Sequence, residues 1–192
     1  MSVLAPGLLI AAPPLEDPNF DRSVVLLASH GKNGAFGWVI NGERVMSLSE
    51  LATHTGLACD APLSSSSHSS SSIYVGGPVG REQVWLLYRT EERLHAVPDQ
   101  FDVGFGITAS PSQKVLEAVL QGRAPKSLRG VIGFAGWEPS QLEREIGRGS
   151  WLPMDAQASL VFDVSVDEMW AQAYQRAGTS PMAFTTRVVG QA

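Results

Sequence analysis

One cysteine, Cys59, stands in the chain, so no intrachain disulfide can form and stability must come from packing. A lone thiol is read as a small buried apolar group, and a reducing compartment, the cytoplasm, is the expected setting. Basic residues are also few, 14 Lys and Arg against 19 Asp and Glu, for a net charge of −5. Nucleic-acid binding draws affinity from neutralising phosphates, and no basic stripe runs along this chain, so direct DNA binding is not expected. No apolar run approaches the ~20 residues that span a bilayer, and no membrane partner is expected. The N-terminal residues lack a basic n-region, so the apolar stretch 8–12 reads as a first strand rather than a signal peptide.

Catalytic signatures are missing as well. There is no Gly-x-Ser-x-Gly elbow, no His-Glu-x-x-His and no Cys-x-x-Cys. The four histidines, His30, His54, His68 and His95, share no ligand-like spacing, and His68 sits alone in a serine tract. No metal, cofactor or catalytic residue is assigned. The stretch Gly31-Lys-Asn-Gly-Ala-Phe-Gly37 superficially suggests a phosphate loop. That loop needs Ser or Thr after the Lys and a helix after the glycines, whereas here Asn33 and a strand pattern follow.

What is present suffices for a folded core: hydrophobic residues make up 44% of the 192 and charged residues 17%. One domain over 1–192 is expected, with a flexible serine-rich loop at 62–72 that has nothing to bury. Four Ser-x-x-Glu/Gln signatures predict helix starts with capping boxes: Ser47 with Glu50, Ser110 with Gln113, Ser140 with Glu143, and Ser165 with Glu168. Pro111 suits the first turn of the second. In the last, Val166, Met169, Trp170, Ala173, Tyr174 and Ala177 share one face, and Gly178 stops the helix. Apolar runs at 23–30 and 35–40, joined by Gly31-Lys-Asn-Gly34, predict a hairpin whose strands are covered on both faces. Further strands are predicted at 73–75, 84–88, 101–108, 128–134 and 158–162. Strands dominate without strict alternation with helices, which indicates α+β.

Three segments offer binding chemistry. In Val75-Gly-Gly-Pro-Val79, Gly76 and Gly77 either make a tight turn before Pro78 or also point successive amides at an anion. In Asp17-Pro-Asn-Phe-Asp-Arg22, Asp17 starts a turn, and Arg22 either ties the loop to a carboxylate or binds an anion. Trp137 and Trp151 bracket the third helix, each with an indole N–H that needs a partner. Core packing and an aromatic groove wall both account for them.

Together these segments resemble the YqgE/AlgH family of bacterial proteins. The matching parts are the stretch 8–25, the hairpin 30–41, Gly76-Gly-Pro-Val79, Gly133-Phe-Ala-Gly-Trp137, Gln141-Leu-Glu143, Trp151-Leu152, the Trp170 helix and Gly190-Gln-Ala192. The resemblance covers nearly the whole chain. It implies an α+β fold of coiled, partly barrel-like, mainly antiparallel sheets with about four short peripheral helices. It also implies a proposed role in transcriptional regulation, without catalytic residues to carry over. Asn41-Gly-Glu43 departs from the family's Asn followed by a basic residue or Arg-Pro. Tyr88 and Gln191 stand where histidine is frequent, so no histidine site transfers. The leading functional reading is a non-enzymatic regulatory or binding module that meets a protein or small-molecule partner through Arg22, Gly76, Gly77 and Trp137. A DNA-binding regulator and an enzyme with an unrecognised site are the alternatives.

Overall fold

A computed structural model describes residues 4–13, 15, 17–56, 71–95 and 97–182. Cys59, His68, residues 62–70 of the serine-rich segment and the terminal Gly190-Gln-Ala192 lie outside the described residues.

Mixed α+β architecture is what forms: a ten-stranded, mainly antiparallel sheet that curls into a half-barrel, with five α-helices among the described residues. The path begins β10 (Trp151–Met154), β1 (Gly7–Ala11), β2 (Val24–Gly31), β3 (Gly34–Val39) and β9 (Leu128–Trp137). It continues through β6 (Val79–Arg89), β8 (Ile107–Ser110) and β7 (Phe101–Gly104). Two short strands lie off this path. β4 (Arg44–Ser47) pairs with β5 (Ser72–Val75), and β5 runs parallel to β9 through Ile73↔Gly130 and Val75↔Ile132. β9 therefore carries β3 and β5 end to end along one edge and β6 along the other.

The alternation of side chains explains why β1 and β2 read as continuous apolar runs. Leu8, Ile10, Val24 and Leu26 face one cluster, which helices α4 (Ala158–Asp163) and α5 (Val166–Arg176) cover with Leu160, Met169 and Tyr174. Leu9, Ala11, Val25 and Leu27 face the other, closed by Leu142 of α3 (Gln141–Gly147) with Trp137 and Trp151. Along β1 and residues 24–27 both faces are buried, so neither can be polar, whereas Ser29 and Gly31 at the far end of β2 are exposed. A third cluster lies where α1 (Leu48–Thr55) and α2 (Gln113–Leu120) bring Leu48, Leu51, Leu116 and Val119 onto Ile73, Leu86 and Tyr88. α5 is also anchored by polar contact: the Trp170 indole and the Tyr174 hydroxyl both donate to the Ala11 carbonyl, at 2.8 and 3.3 Å.

Several local expectations change. Only Ser47–Glu50 closes a full capping box. Ser110 instead belongs to β8, its hydroxyl donating to the Asp99 carbonyl, and α2 starts after Ser112 with Pro111 outside it. Ser140 takes a left-handed φ of 62°, and neither it nor Ser165 gives its hydroxyl to the helix backbone. Residues 158–162 are helical, not extended, because Leu160 and Val161 pack under α5 against the sheet. The run 101–108 is broken by Phe105 and Gly106, both at positive φ, into the β7–β8 hairpin. The 31–34 hairpin forms, but positive φ falls on Gly34 alone, with Lys32 and Asn33 on the ordinary side.

Candidate functional site

The loop before β2 folds on its own polar groups. Asp17 accepts from the Asn19 backbone and side-chain amides, both at 2.9 Å, and the Phe20 and Ser23 amides reach back to Asp17 and Phe20 carbonyls. Asp17 thus starts the turn its position before Pro18 predicts. Phe20 drops inward, its ring 6.1 Å from Trp137 and 5.5 Å from Trp151.

Those two indoles answer the question the sequence left open. Both N–H groups donate to one oxygen, Glu145 Oε2, at 2.9 Å from Trp137 and 2.8 Å from Trp151. Gln141 donates to the other Glu145 oxygen at 2.9 Å. Trp137 is only 6% exposed, so it supports the loop from beneath and offers no open wall.

Asn41 holds the loop from the side. Its carbonyl oxygen accepts from the Val24 amide at 2.7 Å and its amide donates to the Arg22 carbonyl at 2.9 Å. Arg22 sits at a φ of 49°. It finds no carboxylate among the described residues; its guanidinium lies 5.8 Å from the centre of the Trp170 ring. Arg22 lines a neighbouring cleft with Pro13, Trp170, Pro181 and Met182, and Asp21 borders both this cleft and the one that Gly77 lines.

Beyond Val39 the chain runs between two neighbours. On one side Asn41 clamps the 17–23 loop; on the other the Val39 amide donates to the Gly76 carbonyl at 2.8 Å and the Val75 amide to the Glu43 carbonyl at 2.9 Å. The Gly76 amide itself donates to the Ile132 carbonyl at 2.7 Å, so it is consumed by the sheet and cannot serve an anion. Gly77, at a φ of 151°, lies so close to β9 that an added Cβ would collide with the Phe134 carbonyl. The glycine pair is there to let two backbones touch.

The result is a cleft of about 380 Å³, with Pro18, Asn19 and Asp21 on one flank and Gly77, Pro78 and Arg81 on the other. Val39, Asn41, Gly42, Glu43, Ser23 and Val75 complete it. That volume falls in the range of small-molecule sites. Asp21, Glu43 and Arg81 are exposed, and none makes an ion pair or side-chain hydrogen bond with the described residues. Ser23 is 4% exposed, and its hydroxyl has no hydrogen-bond partner among the described residues. A buried hydroxyl left unpaired costs about 1–3 kcal/mol. Among the described residues the cleft is lined by no histidine and no cysteine, and the Ser23 hydroxyl makes no hydrogen bond to a base. Among the described residues no group of three or more His, Cys, Asp or Glu is placed to hold a metal.

Of the four residues chosen from sequence, the structure brings Gly77 to this cleft, puts Gly76 in the sheet beside it, sends Arg22 to a neighbouring cleft and buries Trp137 below. Sequence reasoning missed Ser23, Asp21, Glu43 and Arg81. A signal existed for Ser23, a hydroxyl immediately before the apolar run 24–28 that opens β2; none existed for Arg81, which lies in the irregular first part of β6.

A family model described as AlgH-like matches residues 8–182. The chain is 37% identical over 183 residues to a UPF0301 protein of Anaeromyxobacter dehalogenans, covering 94% of this chain and 91% of the relative. It is 38% identical over 182 residues to a UPF0301 protein of Myxococcus xanthus, covering 94% of each. The solution structure of the AlgH protein from Pseudomonas aeruginosa superposes with a TM-score of 0.75 at 30% identity, covering 100% of this chain and 95% of that one.

Proposed function

The chain belongs to the AlgH-like family, and from its geometry we propose that it is a non-enzymatic regulatory module that binds a small polar molecule in the Ser23–Glu43–Arg81 cleft. The observation that carries this is the Ser23 hydroxyl, buried and unpaired in the wall of a ligand-sized cleft. Three exposed charges with no partner among the described residues surround it. Stability alone gains nothing from that arrangement, since a methyl group at position 23 would avoid the desolvation cost. The module is proposed to act as one domain over 1–192, in the cytoplasm, with occupancy of the cleft read by a protein partner. No helix among the described residues is long and apolar enough to cross a membrane.

Ligand that binds only the folded state raises its stability by RT ln(1 + [L]/Kd), about 2.7 kcal/mol at a hundredfold excess over Kd. The small-molecule fraction of a bacterial lysate is therefore expected to raise the melting temperature of the wild type and to leave an Arg81→Gln, Glu43→Gln double variant unmoved. Equal responses from the two proteins would remove the cleft from consideration. Saturable, sequence-selective binding of duplex DNA at physiological salt would replace this reading with a DNA-binding regulator.

A further inference from the structure

We infer that the cleft selects a small zwitterion, a molecule of amino-acid or dipeptide size that carries both an ammonium and a carboxylate. This rests on the reading of the cleft as a binding site and goes further by assigning the chemistry of the ligand.

The charges come from three separate segments of the chain. Asp21 is contributed by the 17–23 loop, Glu43 by the chain beyond β3, and Arg81 by the segment after the Gly77-Pro78 turn. Backbone hydrogen bonds place the Glu43 segment between the other two, because Asn41 ties it to the loop while Val39 and Glu43 tie it to residues 75 and 76. Opposite charges thus enter one cleft from different elements. They do not neutralise each other: no pair among Asp21, Glu43 and Arg81 comes within 4.0 Å as a salt bridge. Elsewhere the fold does pair such groups, Arg89 with both oxygens of Asp163 at 2.8 Å and Arg44 with Glu50 at 3.5 Å.

A ligand of one charge sign would gain from one side of this cleft and be repelled by the other. A neutral ligand would leave Asp21, Glu43 and Arg81 partly desolvated without partners, which is unfavourable. A zwitterion satisfies both, with its carboxylate on the Arg81 guanidinium and its ammonium on Asp21 and Glu43. Arg is suited to the first contact because its planar fork meets a carboxylate in two parallel bonds. Ser23 lies in the wall of the same cleft. The volume of about 380 Å³ accommodates an amino acid or dipeptide.

The test is an amide-resonance titration of the full chain at low ionic strength, following Ser23, Gly42 and Gly77. The probes are L-alanyl-L-alanine, its N-acetyl form, which keeps only the carboxylate, and its C-terminal amide, which keeps only the ammonium. The dipeptide is expected to give saturable shifts, and each capped form to bind at least tenfold more weakly. Arg81→Gln, at an exposed position, is expected to reduce the dipeptide to the affinity of its amide, and Glu43→Gln to that of its N-acetyl form. A capped form binding as well as the dipeptide would overturn the zwitterion while leaving the cleft a binding site. If no dipeptide form shifts these resonances, the zwitterion is again overturned, and titration with putrescine, inorganic phosphate and ribose decides the rest. Shifts there keep the cleft as a site for another class; none would remove the proposed function too.

Discussion

At the scale of single residues, buried polar atoms are specified by their partners except at Ser23 Oγ, Trp38 Nε1 and Trp85 Nε1, which have none among the described residues. Gly77 illustrates a position with two independent demands, a positive φ and the approach of the Phe134 carbonyl. The conformational demand alone is worth about 1–2 kcal/mol against an alanine. Gly77→Ala is expected to lower the melting temperature by at least ~4 °C, since 1 kcal/mol moves a domain of this size by about 2–4 °C. An unchanged melting curve would mean that β6 and β9 are free to separate there. Glu145 carries a heavier share, because two indoles use one of its oxygens. Glu145→Leu leaves both N–H groups without an acceptor at positions 6% and 2% exposed, costing about 1–3 kcal/mol for each. The cost is expected to shrink in the Trp137→Phe background, where one of the donors is gone. A double-mutant cycle measures that coupling directly, and strict additivity would show that the Trp137–Glu145 bond contributes nothing.

Elements obey their own sequences only where the tertiary structure leaves them alone. α1 keeps its capping box: the Glu50 carboxylate accepts from the Ser47 amide at 2.6 Å and the Ser47 hydroxyl accepts from the Glu50 amide at 3.2 Å. Ser47→Ala should therefore cost about 1 kcal/mol, and Ser140→Ala and Ser165→Ala much less, because neither caps its helix. The same box brings a pH dependence. The Ser47 amide, then its hydroxyl, hold the Glu50 carboxyl below its ordinary range. A folded-state value lowered in this way gives stability that is present above the unfolded value, about 4.3, and lost as pH falls through the folded one. The difference in melting temperature between wild type and Glu50→Gln should thus be constant near neutrality and close toward acid. A gap that widens on acidification would reverse the assignment. The hairpin, the apolar faces of α1, α2 and α5 and the doubly covered first half of β2 were legible because local pattern and burial agree there; the second half of β2 is partly exposed. α4 was not: Ala158-Ser-Leu-Val-Phe162 is too short for its period to separate helix from strand, and packing beneath α5 decided it. The cleft was legible only at Gly77, since Ser23, Glu43 and Arg81 meet through strand pairings far apart in sequence.

At the scale of the whole molecule, Arg129 ties helix α4 to the split sheet. This residue of β9 is 9% exposed, and no carboxylate among the described residues pairs with it. Its guanidinium donates to the Val161 carbonyl at 2.9 Å, the Ile40 carbonyl at 3.1 Å and the Val164 carbonyl at 3.4 Å, and lies 5.7 Å from the centre of the Tyr74 ring. One side chain thereby joins the central strand, the chain leaving β3, and the C-terminal end of α4, whose last carbonyls have no partner inside the helix. Burial pulls its pKa below the ordinary Arg value, yet arginine stays charged in proteins, so three carbonyl dipoles and a ring face replace a counter-ion. A lysine has the charge but not the planar fork, and its single ammonium cannot reach carbonyls spread across three segments. Arg129→Lys is expected to cost about 1.5–3 kcal/mol, the worth of a buried charge-assisted hydrogen bond. Hydrogen exchange separates this from a general loss of packing. The amides of α4 and of residues 39–41 should lose protection together, while those of α1 and α2, which pack on a different cluster, keep theirs. Uniform loss of protection across all five helices would show that Arg129 contributes only to global stability.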